Sequence, residues 1–531
     1  MKDQNNYAIE LQNITKTFGS VIANKNININ VKQGEILALL GENGSGKTTL
    51  MNMLSGIYKP DSGVIKVNSK PVTIHSPEDS KKYGIGMVHQ HFKLVEVFSA
   101  ADNIWMGTEK TGFILKKDRY KKIAEISEKF GFEFNPQKLV SNMSVSEKQT
   151  LEILRVLYYG AKVIILDEPT AVLTVQEIRK LFDVLRKMKE DGHSIIIITH
   201  KLNEVMEISD RVTILRKGEY IDTVNTSKTS EQELTDLMVG RKVNLNINRP
   251  ATEFDKPLLE IRNLTVKNDE QANAIENVNF YIRGGEILGV AGIAGCGQKE
   301  LCEAIAGLRK IENGQIIHKG ENIVGLEPKT IIEKGISMSF IPEDRLGMGL
   351  APSLSITDNM ILKTYKENKK SPFVDRNKAK KKAEGIIKRL GIATPSADTP
   401  VRRLSGGNVQ KVLVGREIDS GPNVIVTAYP VRGLDINSSY AIYDILNDQK
   451  KKGVGILFVG EDLDVMLALC DKIMVLCHGK LMGVVHAHKA TKEDLGLMMT
   501  GAKDISEING KVAGIAKDSA IQEMEEVCDA K

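Results

Sequence analysis

The chain has 531 residues, 41% hydrophobic and 27% charged, with a formal net charge of +5, which predicts roughly two to four domains of ordinary soluble composition. So small a net charge does not announce a nucleic-acid binder, which usually shows a concentrated cationic face, and no uncharged apolar run approaches the about 20 residues that cross a bilayer. Met1 to Glu10 is polar, without the apolar core of a signal peptide, and the five irregularly spaced cysteines form no CxxC pair, so reduced, incidental thiols in a cytosolic protein are expected.

In chain order, the apolar run Ile36 to Leu40 predicts a buried strand. Gly41-Glu42-Asn43-Gly44-Ser45-Gly46-Lys47-Thr48 follows and fits GxxxxGK[ST], with a helical stretch opening at Thr48-Thr49. Glycines there let backbone N–H groups turn onto phosphate oxygens, and the helix N-terminus adds partial positive charge. Lys47 is expected to pair the β and γ phosphates and Thr48 to ligate Mg²⁺. A more helical, more charged segment from about Lys93 to Gly160 reads as a subdomain beside the core. Val163 to Thr170 reads V-I-I-L-D-E-P-T, placing Asp167 at the carboxyl end of a buried strand, where open α/β sheets bind ligands. Asp167 is expected to hold the metal through water, and Glu168 to orient or deprotonate the attacking water. Val175 to Asp191 has helical spacing and Ser194 to Thr199 reads as a further parallel strand, so the order is strand, helix, strand: an α/β sandwich.

The chain is then written a second time. Gly34-Glu35-Ile36-Leu37 recurs as Gly285-Glu286-Ile287-Leu288, and Asp210-Arg211-Val212 recurs as Asp471-Lys472-Ile473. The later pairs are slightly further apart, which places insertions in the middle of the second copy. A repeat this long means tandem domains rather than a solenoid. We expect a first domain over residues 8–242, a polar linker over 243–257, a second domain over 258–502, and a weakly patterned, acidic tail over 503–531.

Leu404-Ser405-Gly406-Gly407-Asn408, with Gln410-Lys411, closely resembles the LSGGQ signature of ATP-binding-cassette (ABC) proteins. His200 resembles that family's switch histidine, Gln90 after Met87-Val88-His89 its Q-loop glutamine, and Phe18 the aromatic that stacks on adenine. The resemblance covers residues 8 to about 502. It implies two tandem P-loop ABC nucleotide-binding domains, each an α/β core with a helical subdomain, and ATP and Mg²⁺ as cofactors. It also implies catalytic roles for Glu168, His200 and Gln90, and magnesium held by Thr48, Gln90 and Asp167. ATP contacts would come from Phe18, from Gly41 through Thr49, and from Ser405, Gly406, Gly407 and Asn408. In this family two modules pack head to tail, so that one module's phosphate loop shares its nucleotide with the other's signature.

The two copies are unequal. In the second, Gln298 stands at the place of Lys47, Lys299 at Thr48, Ala428 at Asp167, Tyr429 at Glu168, Glu343 at Gln90, Glu461 at His200 and Asp269, approximately, at Phe18. The signatures are reversed in quality, because the first copy has Met143-Ser144-Val145-Ser146-Glu147. One composite site, from the first phosphate loop and the second signature, is expected to hydrolyse ATP. Asp435 matches the family's D-loop acid, whereas its counterpart Thr174 departs from it.

Fused cassettes with Ile341-Pro342-Glu343-Asp344-Arg345 and a lost second lysine resemble the importer ATPases of simple sugars and nucleosides (BMP-type). Met87 to Phe92 and Ala428-Tyr429-Pro430 favour the nucleoside branch. The resemblance implies two membrane-spanning permease subunits, an extracytoplasmic substrate-binding lipoprotein, no nucleic acid, and a peripheral position on the cytoplasmic face of the membrane. Permease helices are expected beside Gln90 and Glu343. The basic stretch Lys378 to Lys388 is either a solvated helix face or a lean on anionic lipid. A soluble tandem-cassette ATPase acting on ribosomes is the rival reading; the short linker and ruined second site count against it.

Overall fold

In the computed structural model, residues 6–19, 21–89, 92–106, 116–132, 134–170, 173–242, 245–251, 257–293, 295–328, 330, 338–342, 345–362, 375–432 and 434–502 are described. Gln90, Glu343, Asp344 and the tail 503–531 lie outside them. The chain divides into two compact units, Met1–Asn244 and Leu245–Lys531.

In the first unit the strands Ile36–Leu40, Val163–Asp167 and Ser194–Ile198 are buried at every position. Such unbroken aliphatic runs, without polar alternation, suit a parallel sheet covered on both faces. They pair in parallel at the centre of a six-stranded sheet ordered Glu219–Asn225, Arg211–Arg216, Ile36–Leu40, Ser194–Ile198, Val163–Asp167, Ile85–Val88, with one antiparallel edge. One sheet face packs on the helix Lys47–Leu54 through Leu50, Met51, Met53 and Leu54, and the other on Val175–Glu190 through Phe182, Leu185 and Met188.

A second, four-stranded antiparallel sheet is built on two long strands, Tyr7–Phe18 and Val21–Lys32. The run Asn26-Ile27-Asn28-Ile29-Asn30-Val31 alternates, burying Ile27, Ile29 and Val31 and turning asparagines outward, the period-2 pattern of a half-covered sheet. The helical subdomain comprises Ala100–Trp105, Lys116–Phe130 and Val145–Tyr158 around Ile104, Ile123, Leu151 and Leu154.

The second unit repeats this plan. Its six-stranded sheet runs Met338–Ile341, Val424–Ala428, Gly455–Val459, Ile287–Ala291, Lys472–Cys477, Lys480–His486, the same order counted from the opposite edge. The recurring sequence blocks carry the same bonds in both units. Asp210 accepts from the Ile36 N–H at 2.9 Å and pairs with Lys189 at 2.6 Å; Asp471 accepts from Ile287 at 2.8 Å and pairs with Lys450 at 2.6 Å. Glu35 pairs with Arg211, and Glu286 with Lys472. Asp210 and Asp471 satisfy a backbone donor where the central strand enters the sheet, a physical reason for these blocks to recur.

The basic stretch lies on the helix Arg376–Leu390, which buries Ala379, Ala383 and Ile386 and pairs three of its cations with Asp358, Asp398 and Asp419. Cys296, Cys302, Cys470 and Cys477 are free and buried. Among the described residues no helix is long and apolar enough to cross a membrane.

Candidate active site

The phosphate loop leaves the carboxyl end of Ile36–Leu40 and feeds Lys47–Leu54. Gly46 opens that helix at φ +95°, and a Cβ there would lie 2.4 Å from the Ala23 carbonyl, so only glycine fits. The first turn has no side-chain cap. Its orphan amides therefore remain available to an anion. Asn43 and Gly44 form the exposed crest of the loop, while Ser45 is buried with its Oγ unpartnered. Lys47 is buried and folds inward, its Nζ donating to the carbonyls of Gly41 at 2.6 Å and Glu42 at 3.0 Å. Burial pushes its ammonium below the ordinary lysine range, opposed by the charges of Glu168, Asp167 and Glu42. Thr48 is exposed and Thr49 half-buried.

Asp167 ends its strand at 7% exposure. Burial first, and then the Glu168 charge, lift its carboxyl to about 6, against the pull of Lys47 and a hydrogen bond from Thr48. Glu168 follows at φ +49°, a left-handed conformation uncommon for a non-glycine residue, with its N–H donating to Ile198 at 2.9 Å. One carboxylate oxygen, Oε1, bonds His200 Nδ1 at 2.8 Å. The other, Oε2, is buried without a partner. The bond to Glu168 raises the His200 pKa above its ordinary value.

Phe18 ends its strand with a ring 43% exposed, in edge contact with Tyr58 at 5.2 Å and under Lys16 Nζ at 5.4 Å. The structure thus gathers Asp167, Glu168 and His200 at one sheet edge, with Thr48 and Lys47 within reach of Asp167. Gln90 falls outside the described residues. Its neighbour in sequence, His89, lines a cavity of about 330 Å³ with Lys93, Arg155 and Met106.

Sequence reasoning missed Asn24, which is fully buried and donates from Nδ2 to the Gly46 carbonyl at 3.2 Å, bracing the phosphate loop. Its signal was an asparagine on the inward side of an alternating strand where the second copy has Ile275.

In the second unit the same backbone carries different groups. Gln298 is buried and donates to the Ile293 carbonyl at 3.1 Å, mirroring Lys47 without its charge. Lys299 points out and pairs with Glu303 at 3.8 Å. Tyr429 keeps the left-handed turn at φ +49° and the backbone bond to Val459 at 2.8 Å, but packs against the core. Burial, then Glu461, push its phenol to about 12. Glu461 pairs with Arg432 at 3.2 Å, and Asp269 with Arg309 at 2.9 Å.

The two signature helices begin differently. Ser144 caps Val145–Tyr158 in a reciprocal capping box with Glu147, whose carboxylate also pairs with Lys138 at 2.7 Å. That start is satisfied internally, by a carboxylate whose charge Lys138 already compensates. Ser405 opens Gly406–Asp419 with no side-chain cap to the helix amides; neutral Asn408 donates to Ser405 Oγ at 2.9 Å and accepts from Ala393 at 2.9 Å. Gly407 lies against Ser438, where a Cβ would come within 2.8 Å of the hydroxyl. Asp435 caps Ile436–Lys451 within its own unit, accepting from Ser438 N at 2.8 Å and Ser438 Oγ at 2.7 Å, while Thr174 caps Val175–Glu190.

The sequence matches the family model described as ABC transporter over residues 24–171 and 275–427. The chain is 41% identical to the guanosine import ATP-binding protein NupO of Bacillus subtilis, over 95% of this chain and 100% of that one. It is 40% identical to the nucleoside import ATP-binding protein NupA of Lactococcus lactis, over 94% and 99% of the respective chains. The glucose import ATP-binding protein TsgD13 of Haloferax volcanii is 36% identical, over 96% and 99%. With the phosphate loop, Asp167, Glu168 and His200 assembled in one unit and the same fold repeated in the other, the chain belongs to the ABC transporter family, as two cassettes in one polypeptide.

Proposed function

We propose that the chain is the ATP-hydrolysing subunit of a membrane importer for nucleosides, guanosine and related purine nucleosides among them. Support for the cargo comes from the similarity to NupO and NupA, higher than that to the glucose importer subunit. Support for hydrolysis comes from one observation: Glu168 is anchored at Oε1 by His200 and unpartnered at Oε2. A carboxylate held on one side and bare on the other, at the carboxyl edge of the sheet beside a phosphate loop, is suited to take a proton from an attacking water.

In this reading the loop amides, Ser45 and Lys47 hold the β and γ phosphates, and Phe18 stacks on the base. Thr48 and Asp167, already bonded to one another, are hard oxygen donors that fit Mg²⁺ in the usual arrangement of few protein ligands plus substrate phosphates. The ion would neutralise charge on the transferring phosphoryl group. His200 fixes the rotamer of Glu168. Gln90 completes the set by resemblance. The open, neutral start of Gly406–Asp419 suits it to supply Ser405 and backbone donors to the same nucleotide. The second phosphate loop, with Gln298 at the place of Lys47 and with Ala428 and Tyr429 at the places of Asp167 and Glu168, is not hydrolytic.

We assign the spanning path to permease partners, with the chain peripheral on the cytoplasmic face and the groove at His89 receiving a permease segment. An extracytoplasmic binding protein would deliver cargo. The test is uptake of labelled guanosine and labelled ribose by cells carrying the native chain or Glu168→Gln. Loss of guanosine uptake alone is the expected result. Loss of ribose uptake alone would move the motor to a sugar importer, and no loss of either would overturn the assignment.

A further inference from the structure

Beyond Glu168 and His200 the two central strands leave the sheet, and the last backbone bond between them is Glu168 N–H to Ile198. Two residues further on, Thr170 is 1% exposed and donates its hydroxyl to Glu204 Oε2 at 2.5 Å. Glu204 is 6% exposed, and its other oxygen pairs with Lys201 Nζ at 3.0 Å. Lys201 donates back to the Thr170 carbonyl at 3.2 Å and hydroxyl at 3.4 Å. The three side chains close a ring of charge-assisted hydrogen bonds between the segment after Glu168 and the segment after His200.

The second unit serves as an internal control. With Asp167 aligned to Ala428 and His200 to Glu461, Thr170 becomes Val431, Glu204 becomes Val465 and Lys201 becomes Asp462. The strand pairing is retained there, ending at Ala428 and Val459. Holding the strands together therefore does not require the polar ring. The ring is present where a glutamate and a histidine must meet and absent where a tyrosine and a glutamate stand instead.

We propose that Thr170, Glu204 and Lys201 are positioning residues that hold Glu168 against His200 for hydrolysis. The inference rests on the reading that the first cassette hydrolyses ATP. None of the three is assigned a contact with nucleotide, so their loss is expected to misplace the base without weakening ATP binding. A misplacement of about 1 Å can cost on the order of 10²-fold in rate.

The test is steady-state ATPase of the full chain assembled with its permease, comparing native, Glu168→Gln, Thr170→Ser and the double variant Thr170→Val/Glu204→Val. The double variant copies the valines of the second unit; Lys201, 30% exposed, keeps solvent and the carbonyl of residue 170 as partners. We expect its kcat to fall at least about tenfold with KM for ATP within about twofold, while Thr170→Ser, which keeps the hydroxyl, stays within about twofold of native. If the double variant does not fold, Glu204→Gln is measured; it keeps an acceptor for Thr170, loses the ion pair, and is expected to lower kcat by about threefold. A native kcat in the double variant, or in Glu204→Gln where that replaces it, would overturn the inference, as would a loss in KM and kcat together. Turnover by Glu168→Gln would instead sink the hydrolytic reading itself.

Discussion

At Asp167, burial beside Glu168 holds the carboxyl near 6, above the 3.8 of an unfolded aspartate. A group whose native pKa is raised favours the folded state below its unfolded value, and that contribution is lost as the pH rises through the native one. Near neutral pH the ionised side chain therefore destabilises the nucleotide-free protein, by an amount on the order of 2–3 kcal/mol. Asp167→Asn is expected to raise the unfolding temperature near pH 7.5 and to abolish Mg²⁺-dependent hydrolysis. The thermal gain should vanish as the pH falls toward 4. Thermal unfolding of native and variant protein at both pH values checks this, and equal gains at both would contradict the burial argument. His200 illustrates the opposite case at the same edge, where a bond to a carboxylate favours the charged ring.

At the scale of elements, the starts of the two signature helices decide which can serve an anion. Asn408→Glu would install in the second helix the capping acid that Glu147 supplies in the first. ATPase of the assembled transporter is expected to fall about tenfold or more while helix stability rises slightly, because the cap satisfies an amide and sets a negative charge where the proposed function has a phosphate approach. Unchanged activity would mean that this helix start does not meet phosphate. Much of this was legible in the sequence and some was not. The phosphate loop and the aliphatic strands announce themselves locally, because their residues touch neighbours in sequence or bury both faces. Ser144-x-x-Glu147 was equally readable as a capping box, but its likeness to a broken signature drew attention to the missing glycine rather than to the added acid. The Asn-Ile alternation of Val21–Lys32 was a strand signal hidden by low apolar content. The ring of Thr170, Lys201 and Glu204 joins segments more than thirty positions apart, and only the parallel pairing of the strands before them brings it together.

For the molecule as a whole, one fold appears twice with one set of reactive groups. Lys47→Ala is expected to abolish ATPase, whereas Gln298→Ala is expected to change it by less than about threefold, because Gln298 carries no charge to lose. Equal effects in the same assay would mean that both cassettes turn over. The shared backbone carries one further consequence, at the left-handed turn. Positive φ at a reactive residue invites a mechanistic reading of stored strain, at a cost of roughly 1–2 kcal/mol. Here Tyr429 adopts the turn at the same angle as Glu168 although it has no proton to take. The kink therefore belongs to the architecture of the strand exit and not to the reaction. Anyone seeking to rebuild a second engine in this chain would find the mould already cast, and would need to supply side chains rather than a new path for the backbone.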